Sequence, residues 1–223
     1  MVKGHPTIIY AIASANGIVL NAVKEYITSF DEIADELCAY YTVENANETD
    51  RITRDDIKKL YNITIYGGNI TTWIKKIQSG NSKKNKPPRN IAIDVPHPKW
   101  VKFQEDITHF KRCIVDKNPE LFNIVSKAGN NQHDNENTFM AYWCQILENE
   151  FVNIAYGVLI KIIPQFKQRV AWALDGFTTF SPLPENANMN ELITSINDKI
   201  FEKQDCLLSL FIKIFHMTPF YTQ

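Results

Sequence analysis

Trp100, Phe103, Ile107, Phe110 and Ile114 recur at alternating intervals of three and four residues, which puts all five on one side of an α-helix. A stripe that bulky is stable only when other elements cover it, so the chain must fold around this helix. Ile33, Ala34, Leu37, Cys38 and Tyr41 form a second such face, and Ser29-Phe-Asp-Glu32 before it reads as a capping box. Thr53 with Asp56 is another cap, predicting a helix from about Arg54 to Tyr66 that stops at Gly67-Gly68.

Further helices are predicted over Pro6–Asn16, stopped by Asn16-Gly17, over Leu20–Thr28, and over Glu120–Lys127. A long helix capped by Asn137 or Thr138 is expected to run to Ile163 and end at Pro164. Arg169 to Phe180 changes character. Val170, Trp172 and Leu174 alternate with Ala171, Ala173 and Asp175, and Asp175-Gly176 joins two β-like runs, a hairpin signal. A helix over Asn190–Lys203 and a β-like run over Leu207–Phe215 complete the pattern. The fold class expected is α+β: mostly helices, packed on a small antiparallel sheet.

Charge is balanced overall but not locally. Lys plus Arg is 24 against 25 Asp plus Glu, which excludes a nucleic-acid binder held by bulk charge and leaves room for a local basic groove. Nine carboxylates crowd residues 31–56, whereas residues 58–89 hold eight basic side chains and no acidic one. Within that basic stretch, Ser79 to Arg89 (SGNSKKNKPPR) reads as an exposed loop, either simply solvated or, with Lys75, Lys76, Lys83, Lys84, Lys86 and Arg89, a surface that touches phosphates. No apolar stretch reaches the length of a membrane span and no leader opens the chain, so neither membrane insertion nor secretion is expected. The four cysteines sit apart inside apolar segments, as reduced thiols of an intracellular protein do, in cytoplasm or nucleus. The 28 Ile and 21 Asn point to AT-rich codons, viral or otherwise.

Histidines and cysteines show no zinc spacing, and the chain has no Gly-x-Ser-x-Gly elbow and no Gly-x-x-x-x-Gly-Lys phosphate loop. Two places could carry chemistry. Arg54 and Lys58, four residues apart, project from one helix face, either as a solvated pair or as a clamp on a polyphosphate, with Tyr66 further on to stack a base. Asp175 is either a turn former or a metal ligand at the edge of a buried sheet.

Taken in order, these elements resemble the palm and fingers of the family A polymerase superfamily, bacterial DNA polymerase I and phage single-subunit RNA polymerases, in a divergent group associated with viruses and mobile elements. Met1-Val-Lys-Gly-His5-Pro6-Thr-Ile-Ile is similar to the tail of the first palm motif. Arg54-Asp-Asp-Ile-Lys58, followed by Tyr66-Gly67-Gly68 and Trp73, resembles the fingers helix. Ala173-Leu174-Asp175-Gly176-Phe177 resembles the third-motif hairpin, with Leu174 where a His is expected. The helix bearing Gln145, Glu148 and Glu150 lies where the group carries a Glu-containing helix.

The resemblance implies a helix-rich palm with a small antiparallel sheet and a helical fingers subdomain. Residues 1–50 would be palm-associated helices, 51–137 the fingers, and 138–223 a palm helix, hairpin and closing helix-strand. It implies template-directed nucleotidyl transfer in DNA replication, with a DNA template and primer and nucleotide triphosphates as partners. Two Mg²⁺ ions would be held in part by Asp175, Arg54 and Lys58 would hold the triphosphate, Tyr66 would border the base pair, and His5 would lie near the sugar. The first catalytic Asp would precede Met1, so activity alone is expected to be incomplete and to need a separately encoded portion. The alternative is a noncatalytic remnant that binds nucleic acid or a partner.

Overall fold

A computed structural model describes residues 4–42, 51–80, 88–89, 95–128, 135–167, 170–173, 176–179, 188 and 190–199. They form α1 (Gly4–Ala15), α2 (Asn21–Thr28), α3 (Phe30–Tyr41), α4 (Arg54–Ile65), α5 (Ile70–Ser79), α6 (Pro98–Lys117), α7 (Pro119–Ala128) and α8 (Asn135–Ile162). A 3₁₀ turn over Pro164–Phe166 and strands β1 (Val170–Ala173) and β2 (Gly176–Thr179) follow, and residues 190–199 are again helical.

The expected stripe on α6 is the centre of the fold. Trp100, Phe103, Ile107, Phe110 and Ile114 are all buried, with α2, α4, α7 and α8 packed against this helix. Tyr26 of α2 stacks on Tyr61 of α4, ring centroids 4.4 Å apart, and both rings meet Phe103. Two indoles tie neighbouring helices to α4 by hydrogen bonds that satisfy their single donor. Trp73 of α5 donates to the Asp56 carbonyl (2.8 Å) and Trp100 to the Thr64 hydroxyl (2.9 Å). One continuous core runs from Ile8 to Leu147, and a smaller cluster gathers Val158, Leu159, Ile163, Phe166 and Leu192.

Helix ends follow local chemistry in most places. At Gly67 (φ 83°), the Gly67 N–H donates to Thr64 O and the Gly68 N–H to Ile63 O, a Schellman closure of α4. Gly17 (φ 68°) ends α1 in the same way, its own N–H on Ser14 O and that of Ile18 on Ala13 O. The Thr53–Asp56 capping box is formed. The Ser29 box is not: Ser29 makes no side-chain cap. It is at once the residue that closes α2, donating its N–H to Glu25 O, and the residue before α3. That double duty holds ψ at 35°, outside the extended region that aims a capping hydroxyl at the next turn. The first turn of α2, without a capping side chain at Leu20, is capped from another helix: Asp106 of α6 accepts from Ala22 and Val23 N–H at 2.7 and 3.1 Å.

The expectation of an α+β fold with a palm-like sheet is overturned. Strands β1 and β2 pair as an antiparallel hairpin, with Ala173 opposite Gly176 across a two-residue connection, and among the described residues no other strand joins them. A lone two-stranded hairpin is not a layer on which helices can pack; the fold is all-α in class. The burial that would have come from a sheet comes from helix-on-helix packing around α6. The β-like run at Leu207–Phe215, which would have widened the sheet, lies outside the described residues. Among the described residues no helix is long and apolar enough to cross a membrane.

Candidate functional site

The N-terminal end of α4 is a knot of ion pairs. Arg54 reaches back to α3, where its Nε and Nη2 donate to Asp35 at 2.6 and 2.5 Å and its Nη1 to Asp31 at 3.2 Å. The bidentate Asp35 bonds hold that carboxyl below the ordinary Asp range. Asp56 is buried, and burial alone would raise its pKa. The Arg89 guanidinium at 2.9 Å and hydrogen bonds from Thr53 outweigh that and hold it at about 2. Arg89 also donates to the Arg51 carbonyl, and Lys59 sits on Asp55 at 2.6 Å. The acidic and basic blocks that the sequence keeps apart therefore pair across this seam.

Lys58, one turn on from Arg54, is half-buried and makes no hydrogen bond or ion pair with the described residues. Lys75 and Lys76 are exposed on α5. Lys83, Lys84, Lys86 and Asp175 lie outside the described residues.

The C-terminal end of α4 is different. The Tyr66 hydroxyl meets His5 Nδ1 at 2.5 Å, bringing α1 onto the α4 terminus although 61 residues separate the two. The rings meet edge to face, centroids 5.6 Å apart. Burial, with Cys144 and Glu148 nearby, pushes the Tyr66 phenol well above the usual tyrosine range. The phenol therefore keeps its proton, and which partner of the short contact donates depends on the His5 tautomer. His5 Nε2 lies 2.7 Å from Glu148 Oε1 of α8, without the alignment of a hydrogen bond.

An open pocket of about 360 Å³ adjoins this contact, lined by Tyr66 and by Asn137, Thr138, Ala141, Tyr142 and Gln145 from α8. Those α8 positions repeat at helical spacing, so one face of α8 supplies the pocket wall and then Glu148 one turn beyond. Behind the pocket lies Lys111 of α6, only 6 % exposed, with its Nζ donating to Asn137 Oδ1 at 2.5 Å.

The structure thus brings together His5 and Tyr66 of the sequence-predicted residues, adds Glu148, and sets Arg54 and Arg89 into ion pairs 12 residues or more away along the chain from Tyr66. Lys111 escaped the sequence reading, although a signal existed. It stands four residues after Ile107 and three before Ile114, on the apolar stripe itself, where a lysine is out of place unless it has a buried partner. Among the described residues no group of three or more His, Cys, Asp or Glu side chains is placed to hold a metal ion; Asp175, the implied Mg²⁺ ligand, lies outside them. No family model matches the chain, and comparison with curated proteins and solved structures finds no significant match.

Proposed function

We propose that this chain binds a nucleoside triphosphate along the Lys58 edge and C-terminal end of α4, as part of a family A polymerase-like core for nucleotidyl transfer onto DNA in a virus or mobile element. The contact of His5 with Tyr66 supports this reading. The two residues belong to separate motifs of the resemblance, were assigned to the sugar and base of one nucleotide, and meet in space. Lys58 adds a cation without a carboxylate partner among the described residues on the same helix, and Lys58 to Tyr66 spans about 12 Å of helical rise, a reach that suits a triphosphate with its base at the Tyr66 end. Fixed charge and positioning are what phosphoryl transfer most needs from a protein.

Lys58→Ala is expected to weaken binding of a fluorescent nucleotide triphosphate by about tenfold, the worth of one charge-assisted contact. Equal affinity of the two proteins would sink the assignment. In a primer-extension assay with Mg²⁺, the chain alone is expected to be silent and a complementing upstream polymerase segment to restore extension.

A second reading, a noncatalytic nucleic-acid- or partner-binding descendant, is favoured by the engagement of Arg54 with carboxylates, while Lys75 and Lys76 are exposed. Under it, DNA binding falls steeply with salt and is unchanged by Lys58→Ala.

A further inference from the structure

Thr53 caps α4 with a hydroxyl and Asn69 caps α5 with an amide, and neither group titrates. The central helix α6 starts instead on His97, whose Nδ1 accepts from the Lys99 N–H at 3.3 Å. A backbone N–H can only donate. The cap therefore requires a bare Nδ1 and, in the neutral ring, a proton on Nε2. That nitrogen lies 3.3 Å from Glu36 Oε1 of α3. Histidine is not among the residues helices favour as caps, yet here it begins the helix around which the core is built.

The ring is fixed in place. His97 is 7 % exposed, its own N–H donates to the Tyr41 hydroxyl at 2.8 Å, and Tyr40 meets the imidazole edge to face, centroids 4.8 Å apart. The titratable and charged groups around it are Glu36, Tyr40 and Tyr41 from α3 and Lys99 from α6, with Glu25 of α2 behind Lys99 at 3.3 Å. The Lys99 ammonium, 2.7 Å from Glu36, holds that carboxyl below the ordinary glutamate range, and burial pushes the Tyr41 phenol up to about 12. Both keep their charge state while an imidazole titrates. A proton on Nδ1 would remove the acceptor, turn a second donor toward the Lys99 N–H and set a positive charge at the positive end of the helix dipole. Burial accordingly holds His97 below its ordinary value of 6.5, with Glu36 opposing and Lys99 assisting. A base with a lowered folded pKa lends its stability in full above the ordinary value and loses it as pH falls through the folded one.

We propose that His97 is an acid-released latch on α6: neutral, it caps the helix, and protonated, it lets the first turn open. That turn carries Trp100, whose indole is bonded to Thr64 of α4, so release bears on the contact between the two helices.

The test is a pH titration of the intact chain by NMR, reading the ring nitrogens of His97 and the hydrogen-exchange protection factor of the Lys99 amide. The proton is expected on Nε2 at neutral pH. Protection of Lys99 should fall about fivefold as His97 takes up its second proton, the worth of one lost cap. The Asp56 amide, capped by the Thr53 hydroxyl, should keep its protection across the same step. In His97→Asn, which retains a cap and cannot titrate, the step should vanish. Glu36→Gln, at an exposed position, should move the step to lower pH, because it removes the carboxylate that favours the imidazolium; a cap without a titration would not respond. A proton on Nδ1 at neutral pH, Lys99 protection that ignores the titration of His97, or a step that survives in His97→Asn overturns the proposal. Should His97→Asn fail to fold, Glu36→Gln decides, and a step it leaves unmoved overturns the latch.

Discussion

The two ends of α4 are built from the same kinds of residue and use them in opposite ways. At the start, most charged groups are answered: Arg54 by Asp31 and Asp35, Asp56 by Arg89 with a hydrogen bond from Thr53, and Lys59 by Asp55, with Lys58 the exception among the described residues. At the finish, His5 contacts Tyr66 and Glu148, and Lys111 contacts Asn137, but Tyr66 and Asn137 line an open pocket. Saturated pairing at a helix start anchors the helix. Polar groups held in place at the edge of a cavity are available to a ligand, and α4 separates the two jobs by its own length.

The sharpest way to break the comparison is at Asp56. Asp56→Ala removes the capping acceptor and strands the Arg89 guanidinium, and is expected to cost about 3–5 kcal/mol in denaturant unfolding, as loss of one partner of a buried pair does. A cost below about 1 kcal/mol would mean that the seam is a surface feature after all. Acid should erode the same contact. The folded carboxyl sits at about 2, below its unfolded value of 3.8, so the stability it lends is present above that unfolded value and is lost as pH falls through 2. The window is worth about 2 kcal/mol, and in Asp56→Asn the decline between pH 4 and 2 should flatten.

At the other end, Gly67→Ala forces a Cβ into Asn137 and a left-handed backbone on alanine, with an expected loss of about 1–2 kcal/mol. Nucleotide affinity should fall in the same variant, which separates this end from the first, where loss of stability should not carry a pocket defect. The smallest effect is expected at Arg54→Ala. Its guanidinium is exposed, and thermal melting should not distinguish the variant from the native chain; a clear drop in nucleotide affinity without a change in melting would show that Arg54 leaves Asp35 for a phosphate.

Much of this fold was legible because its signals are local. The α6 stripe, the Thr53–Asp56 box and the glycine stops at Gly17 and Gly67 each act within a few residues, and all are where spacing puts them. Ser29 misled for a reason that spacing does not encode: the next helix begins too soon for the backbone to turn. The hairpin pattern was also local, but its weight in the fold was not, since a sheet depends on strands that must be recruited from elsewhere. The site was legible only in its members. Tyr66 and His5 could be named one by one, whereas their contact, the ion pairs that engage Arg54 and Arg89, and the bond from Lys111 to Asn137 depend on how helices far apart in sequence come to lie side by side.

The cap that Asp106 places on α2 sets an order of events during synthesis. The amides it satisfies belong to residues 84 and 83 positions earlier, so a nascent chain carries α2 with a frayed first turn until α6 has emerged. Contacts of such long sequence separation form late and slow the search, and the amides of Ala22 and Val23 should gain protection from hydrogen exchange together with those of α6 rather than with those of α1, which closes by itself at Gly17.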